Sequence, residues 1–161
     1  MSRKLIQYQN NELHFGLQPT KLSDYVQNYK QPIILYDLDI IKERIGWIQA
    51  WPRLGRLHYA AKANFHLEIL QLIKNMNCGV DVVSIGEIKR VLEAGFTMQD
   101  IIFSGVGKSK EELKWVIERD IYQINVESLS ELRKIEVLAE QLHKKVNLGL
   151  RINPEIDAET H

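Results

Sequence analysis

What is scarce in this sequence narrows it quickly. Cys78 is the one cysteine, so an internal disulfide framework and a cysteine-rich metal site are both excluded, and a buried free thiol is its expected role. Net charge is missing as well. Twenty-one basic side chains stand against 21 acidic ones, which removes the electrostatic footprint of a nucleic-acid binder and leaves small neutral or zwitterionic ligands open. No apolar run has the length of a signal-peptide core or of a bilayer span, and a cytoplasmic protein is expected. What remains is a chain of 161 residues, 45% hydrophobic and 26% charged, the makeup of one ordinary globular domain.

From residue 33 onward, short β-type runs alternate with segments of helical periodicity, the pattern of βα units around a parallel sheet. Strands are expected to begin near Leu57, Gly79, Ile101, Ile121 and Val146, spaced 20 to 25 positions apart, which fits one strand plus one helix per unit. A strand-like run, Ile33 to Asp37, comes before them, and Leu38, Ile41, Ile45 and Ile48 give the next helix an inner face. Apolar positions three and four apart mark the later helices: Ile69, Leu72, Ile73 and Met76; Ile88, Val91 and Leu92; Leu113, Val116 and Ile117. Ser84 to Glu87, Ser109 to Glu112 and Ser128 to Glu131 each form a Ser-x-x-Glu signature. In each, the hydroxyl can accept from a first-turn amide while the Glu reaches back. Gly95 stands where a left-handed residue ends a helix. Residues 1–30 are broken by Asn10-Asn11 and Gln18-Pro19-Thr20, and are read as a separate lead-in to a domain over 31–161.

The run Leu57-His58-Tyr59-Ala60-Ala61-Lys62-Ala63-Asn64 carries the chemistry. Strand alternation would put His58, Ala60 and Lys62 on one face. Burying an ammonium is costly, so a lysine on an inward face either snorkels out or loses its charge chemically, and a desolvated lysine is the kind of amine that forms Schiff bases. On spacing alone a solvated lysine at a strand end is the simpler reading. Asp81 is a lone carboxylate among Val80, Val82 and Val83 and calls for a partner, whether an ion pair, a cap or a ligand. Arg151 shares a face with Asn147 and Gly149, opposite Val146, Leu148, Leu150 and Ile152; a structural salt bridge and a site role are both open. His58 is read as a packed histidine, although its ordinary pKa would suit acid-base work. Gly107-Lys108-Ser109 is a strand-to-helix turn with a capping serine and not a P-loop, because the glycine required five positions before Gly107 is Ile102.

The hexapeptide Tyr59-Ala60-Ala61-Lys62-Ala63-Asn64 resembles the cofactor-lysine motif of the alanine-racemase-like pyridoxal-phosphate enzymes, whose decarboxylase branch commonly shows Tyr-Ala-x-Lys-Ala-Asn. The resemblance continues in the same order through Gly79-Val80-Asp81-Val82-Val83-Ser84 with Gly86-Glu87, Phe103 to Ser109, Ile124 to Ser128, and Leu150-Arg151-Ile152-Asn153-Pro154. Gly105-Val106-Gly107-Lys108-Ser109 and the ending Asp157-Ala158-Glu159-Thr160-His161 are similar to the diaminopimelate decarboxylase branch. Ile85 departs from the glycine that these enzymes often carry there.

The resemblance implies a partial (β/α)8 barrel with about five of its eight strands, short of the roughly 250 residues of a closed one. It implies pyridoxal 5'-phosphate as cofactor, Lys62 as the residue holding it, Asp81 near the ring and Arg151 near the pyridoxal oxygen. In the complete enzyme the expected reaction is decarboxylation of meso-2,6-diaminopimelate to L-lysine, by a homodimer, with no metal, nucleic acid or membrane. A ring-stacking histidine, a glycine-rich phosphate cradle, a glutamate at the pyridine nitrogen and a β-rich second domain would come later in the family, so the 161 residues are expected to be a truncated, inactive part. The alternatives are a fragment of an ornithine, arginine or carboxynorspermidine decarboxylase, or a non-catalytic relic.

Overall fold

The computed structural model describes residues 5–27, 29–53 and 55–154. The ending Asp157 to His161 lies outside the described residues. Two compact units divide the chain, Met1–Leu54 and Gly55–His161.

In the first unit, β1 (Ile6–Gln9) and β2 (Glu12–Phe15) form an antiparallel hairpin. Asn10 and Asn11 turn it, with φ of 48° and 66°, the paired positive values of the two-residue turn whose twist matches that of the strands. A short β3 (Thr20–Lys21) pairs with β2 and leads into α1 (Leu22–Val26). The next helix, α2 (Leu38–Gln49), is capped by Asp37, whose Oδ1 accepts from the amides of Asp39 at 2.8 Å and Ile40 at 3.1 Å while Oδ2 accepts from Leu17 at 2.7 Å. Of the inner face expected for α2, Ile45 alone is buried, and Leu38 and Ile48 are exposed.

The strand expected over Ile33 to Asp37 does not form. Burial alternates along it as a strand's would, with Ile34 and Tyr36 exposed between less exposed neighbours. An extended segment becomes a strand only by exchanging hydrogen bonds with a neighbour, and neither sheet of the described residues takes it in.

The second unit is the βα repeat. Strands β4 (His58–Ala60), β5 (Gly79–Val82), β6 (Ile101–Phe103), β7 (Gln123–Val126) and β8 (Leu148–Leu150) lie in chain order in one parallel sheet. Helices α3 (Leu67–Asn75), α4 (Ile85–Glu93), α5 (Lys110–Glu118) and α6 (Leu129–Leu142) alternate with them. This is the partial barrel expected. Val80, Val82, Ile101, Phe103, Ile124 and Val126 form the buried outer face, meeting Ile69, Leu70 and Ile73 of α3, Ile88 and Val91 of α4, Leu113, Val116 and Ile117 of α5, and Ile135 and Leu138 of α6. Each such side chain contributes about 2 kcal/mol on burial. In α3 it is Leu70 that is buried, and Leu72 and Met76 are half-buried. The register sets His58 and Ala60, Gly79 and Asp81, Ile102, Gln123 and Asn125, and Gly149 on the other face, which is less buried and carries the polar groups.

All three serines cap their helices, accepting from the amides of Glu87, Glu112 and Glu131. Only Glu112 returns to the amide of its own capping serine; Glu87 takes Val83 N and Glu131 takes Glu127 N, one residue earlier. Gly95 follows α4 with φ +95°, as a helix end demands. The amino-terminal rim of the sheet is tied by Asp100, which is buried and accepts from Arg56, from Lys74 at 2.9 Å and from Thr97 N at 2.8 Å. Burial alone would raise its carboxyl, but Arg56, Lys74 and Thr97 outweigh burial and hold it well below the usual carboxylate range. Cys78 is a buried thiol in no disulfide, donating to Met76 O at 3.7 Å, its pKa pushed up by burial.

Candidate functional site

The polar groups gather where strands end, the usual site of chemistry in parallel α/β folds. The tyrosine-to-asparagine run departs from simple alternation. Strand β4 stops at Ala60, and Ala61–Ala63 make a turn of 3-10 helix, so Lys62 is not a strand residue and is exposed. The turn is fixed on both sides. Ala61 is fully buried beneath it, and the Tyr59 hydroxyl donates to the carbonyl of Asn64 at 3.1 Å. The side chain of Asn64 accepts from His66 N at 2.9 Å, just ahead of α3. A flexible amine thus rises from a rigid turn, and no hydrogen bond or ion pair links it to another described residue.

Asp81 pairs in register with Ala60, which places it on the strand next to the Lys62 turn. Its Oδ1 accepts from the Ser104 hydroxyl. Ser104 Oγ in turn accepts from Asn125 Nδ2 at 2.8 Å, and Asn125 Oδ1 accepts from Gln123 Nε2 at 2.8 Å. Every donor in this chain points toward the carboxylate, so Asp81 is the terminal acceptor of a line of dipoles running from β7 past the end of β6. Gly149 makes room for it: a Cβ there would overlap the Asn125 carboxamide. The partner that a lone carboxylate needs is therefore a hydroxyl, not a cation.

Arg151 lies just past β8, its amide donating to Val126 O at 3.0 Å. Its side chain is 65% exposed, and its guanidinium meets the Glu127 carboxylate at 3.2 Å. That is the salt bridge considered from sequence, and most of the cation still faces outward. Lys62 just past β4, Asp81 on β5 and Arg151 just past β8 thus share one end of one sheet without touching one another.

Sequence reasoning missed the residues that hold these three. Ser104 and Asn125 lie in quoted motifs, but nothing local says that they bond across strands. Lys108 was read as part of a turn, which it is, and its ammonium is also buried, donating to Gly105 O and Asn125 O, each at 2.7 Å, and to Glu131 Oε1 at 3.0 Å. An ammonium so engaged has no role in cradling a phosphate. His58 packs on Tyr122 with ring centroids 5.8 Å apart and its Nδ1 donates to Arg56 O at 3.2 Å, while its Nε2 is buried without a partner among the described residues. It sits at the opposite end of β4 from Lys62, which supports the packed role.

A hollow of about 290 Å³ opens beside the Lys62 turn between Phe65, Ser84, Gly86, Glu87 and Arg90. Among the described residues no cluster of acidic, histidine or cysteine side chains is arranged to hold a metal, and no helix is long and apolar enough to cross a membrane.

Comparison with known proteins adds a family to this geometry. The family described as pyridoxal-dependent decarboxylase, pyridoxal-binding domain, matches residues 38–161. Diaminopimelate decarboxylase of Campylobacter jejuni is 45% identical over 137 residues, covering 84% of this chain and 34% of that protein. Among solved structures, diaminopimelate decarboxylase from Helicobacter pylori complexed with L-lysine superposes with a TM-score of 0.79 at 44% identity, covering 86% of this chain and 36% of that one. The enzyme of the same name from M. jannaschii, also with L-lysine, gives a TM-score of 0.81 at 28% identity, with 97% and 37% covered. The chain spans about a third of the length of the curated relatives it matches.

Proposed function

The chain belongs to the pyridoxal-dependent decarboxylases, whose pyridoxal-binding domain it matches over residues 38–161, and from that premise we propose that it is the amino-terminal part of a diaminopimelate decarboxylase. The complete enzyme is then a cytoplasmic homodimer that converts meso-2,6-diaminopimelate to L-lysine. Turnover belongs to the longer polypeptide and not to these 161 residues. What carries the reading is the exposed amine of Lys62 on its fixed turn beyond β4, in a chain whose relatives bear that enzyme's name.

The residues present fit pyridoxal phosphate. An aldehyde needs a primary amine that is accessible and not committed to a carboxylate, and Lys62 meets both conditions. The cofactor, when bound, supplies a conjugated ring that accepts the electron pair left as carbon dioxide departs. Everything else is the protein's work. Lys62 would hold the aldehyde carbon. Asp81, held in place by Ser104 and Asn125, would order the ring, and Arg151 would present guanidinium N–H groups to the pyridoxal oxygen. The hydrogen-bonded chain across β5, β6 and β7 is what keeps Asp81 from rotating into solvent. Residues 1–30 serve as a lead-in whose hairpin offers the exposed Ile6 and Tyr8 to the family's β-rich second domain.

The test is carbon dioxide release by the full polypeptide that carries this sequence, supplied with pyridoxal phosphate and, in separate assays, meso-2,6-diaminopimelate, ornithine and arginine. Release from diaminopimelate alone is expected. Preference for ornithine or arginine would move the protein to a sister activity, and no release from any would leave a relic.

A further inference from the structure

The most deeply committed charge at the carboxyl end of the sheet belongs to none of the residues assigned so far. Lys108 has a side chain only 2% exposed, facing Glu131 at 9%. Its three protons are all used, on Gly105 O, Asn125 O and Glu131 Oε1. A buried ion pair is a poor way to add stability, because desolvation offsets most of the attraction, and an apolar pair of similar volume often does as well. What such a pair does supply is a fixed geometry for the groups around it.

Those groups lead in two directions. The Asn125 carbonyl is held by Lys108, and the side chain of the same residue holds Ser104, which holds the Asp81 carboxylate. On the other side Glu131 spends one oxygen on Lys108 and the other on the amide of Glu127 at 2.8 Å. The Glu127 carboxylate, 12% exposed, then receives Arg151. Gly105 adds a third fixed point, since φ of +94° sets the turn whose carbonyl the ammonium takes.

We propose that Lys108 is a positioning residue for the cofactor site, setting Asp81 through Asn125 and Ser104 and aiming Arg151 through Glu131 and Glu127. The proposal rests on the function given above, which assigns Asp81 and Arg151 to the cofactor. No part of that function involves Lys108 itself, which stands on the outer side of these contacts.

The experiment uses the full polypeptide that carries this sequence and measures pyridoxal phosphate binding by absorbance titration, with thermal midpoints alongside. Lys108→Met alone strands the Glu131 carboxylate and is expected to lower the midpoint. The paired variant Lys108→Met with Glu131→Gln removes both charges. It is expected to keep a midpoint near that of the wild type yet bind the cofactor about tenfold more weakly or worse, the scale on which supporting contacts act. In that background Arg151→Ala should cost a smaller further factor than it costs in the wild type, because the guanidinium is already misaimed.

Wild-type affinity in the paired variant overturns the positioning role. So does an Arg151→Ala factor that is equal in both backgrounds, or a paired variant that melts as early as Lys108→Met, which would assign the bridge to stability. Lys62→Ala is the control for the underlying function: if the wild-type polypeptide takes up no cofactor at Lys62, the functional reading fails first and the positioning role fails with it.

Discussion

Asp100 and His58 are side chains whose surroundings set a pH dependence. The Asp100 carboxyl is depressed in the fold because Arg56, Lys74 and Thr97 overcome the burial that would raise it. Its contribution is therefore complete above the unfolded carboxylate pKa and is lost as pH falls toward the folded value. Asp100→Asn should cost about 2–3 kcal/mol near neutrality, the scale of hydrogen bonds to charged partners. Denaturant titrations should find that difference constant above about pH 5 and shrinking below about pH 4; a difference that does not vary with pH contradicts the assignment. The pKa of His58 is lowered, first by burial. The neutral ring is thus favoured by folding, and stability should fall as pH drops below the ordinary histidine value of about 6.5. Titrating the His58 ring by NMR checks this, and a pKa above that ordinary value would be the wrong result. At this scale the sequence is legible in part. Asp81 announces itself as a carboxylate in need of a partner, whereas the capping box of Thr97 and Asp100 is not among the helix starts read from sequence. Lys108 gives no such sign, because its acceptors stand up to 23 residues away and nothing in a Gly-Lys-Ser turn reports on Glu131.

Among the elements, helix starts are the most readable features, since a serine three residues before a glutamate satisfies orphan amides wherever the helix later packs. Ser109→Ala and Ser128→Ala should each cost about 1 kcal/mol, and Gly95→Ala about 1–2 kcal/mol for placing a side chain at positive φ. Thermal midpoints unchanged by any of these would deny the caps their role. Strand starts are nearly as clear: β5 and β6 begin at Gly79 and Ile101 as expected, and β7 and β8 begin two residues late, at Gln123 and Leu148. Two elements mislead. Ile33 to Asp37 has the composition and alternation of a strand, but pairing is decided by a neighbour and not by the segment. The end of β4 is the other case, because Ala-Ala-Lys-Ala suits an extended strand and a helical turn alike, and the fold chooses the turn. That choice moves Lys62 from an inward strand position to an exposed one.

At the scale of the whole molecule, the sheet of the second unit has β4 and β8 as edges among the described residues. Leu150 and Ile152, at 71% and 81% exposure, lie on or just beyond one of them. Unpaired edges flanked by exposed apolar groups invite association. The 161-residue chain produced alone should therefore sediment as a distribution of self-associated species, and a sharp monomer boundary would contradict this. The central claim, however, is about one amine. Borohydride reduction of the full polypeptide with pyridoxal phosphate, followed by peptide mass mapping, tests it most directly. The account predicts a pyridoxyl label on Lys62, absent from Lys62→Ala; label confined to other lysines, or none at all, would contradict it.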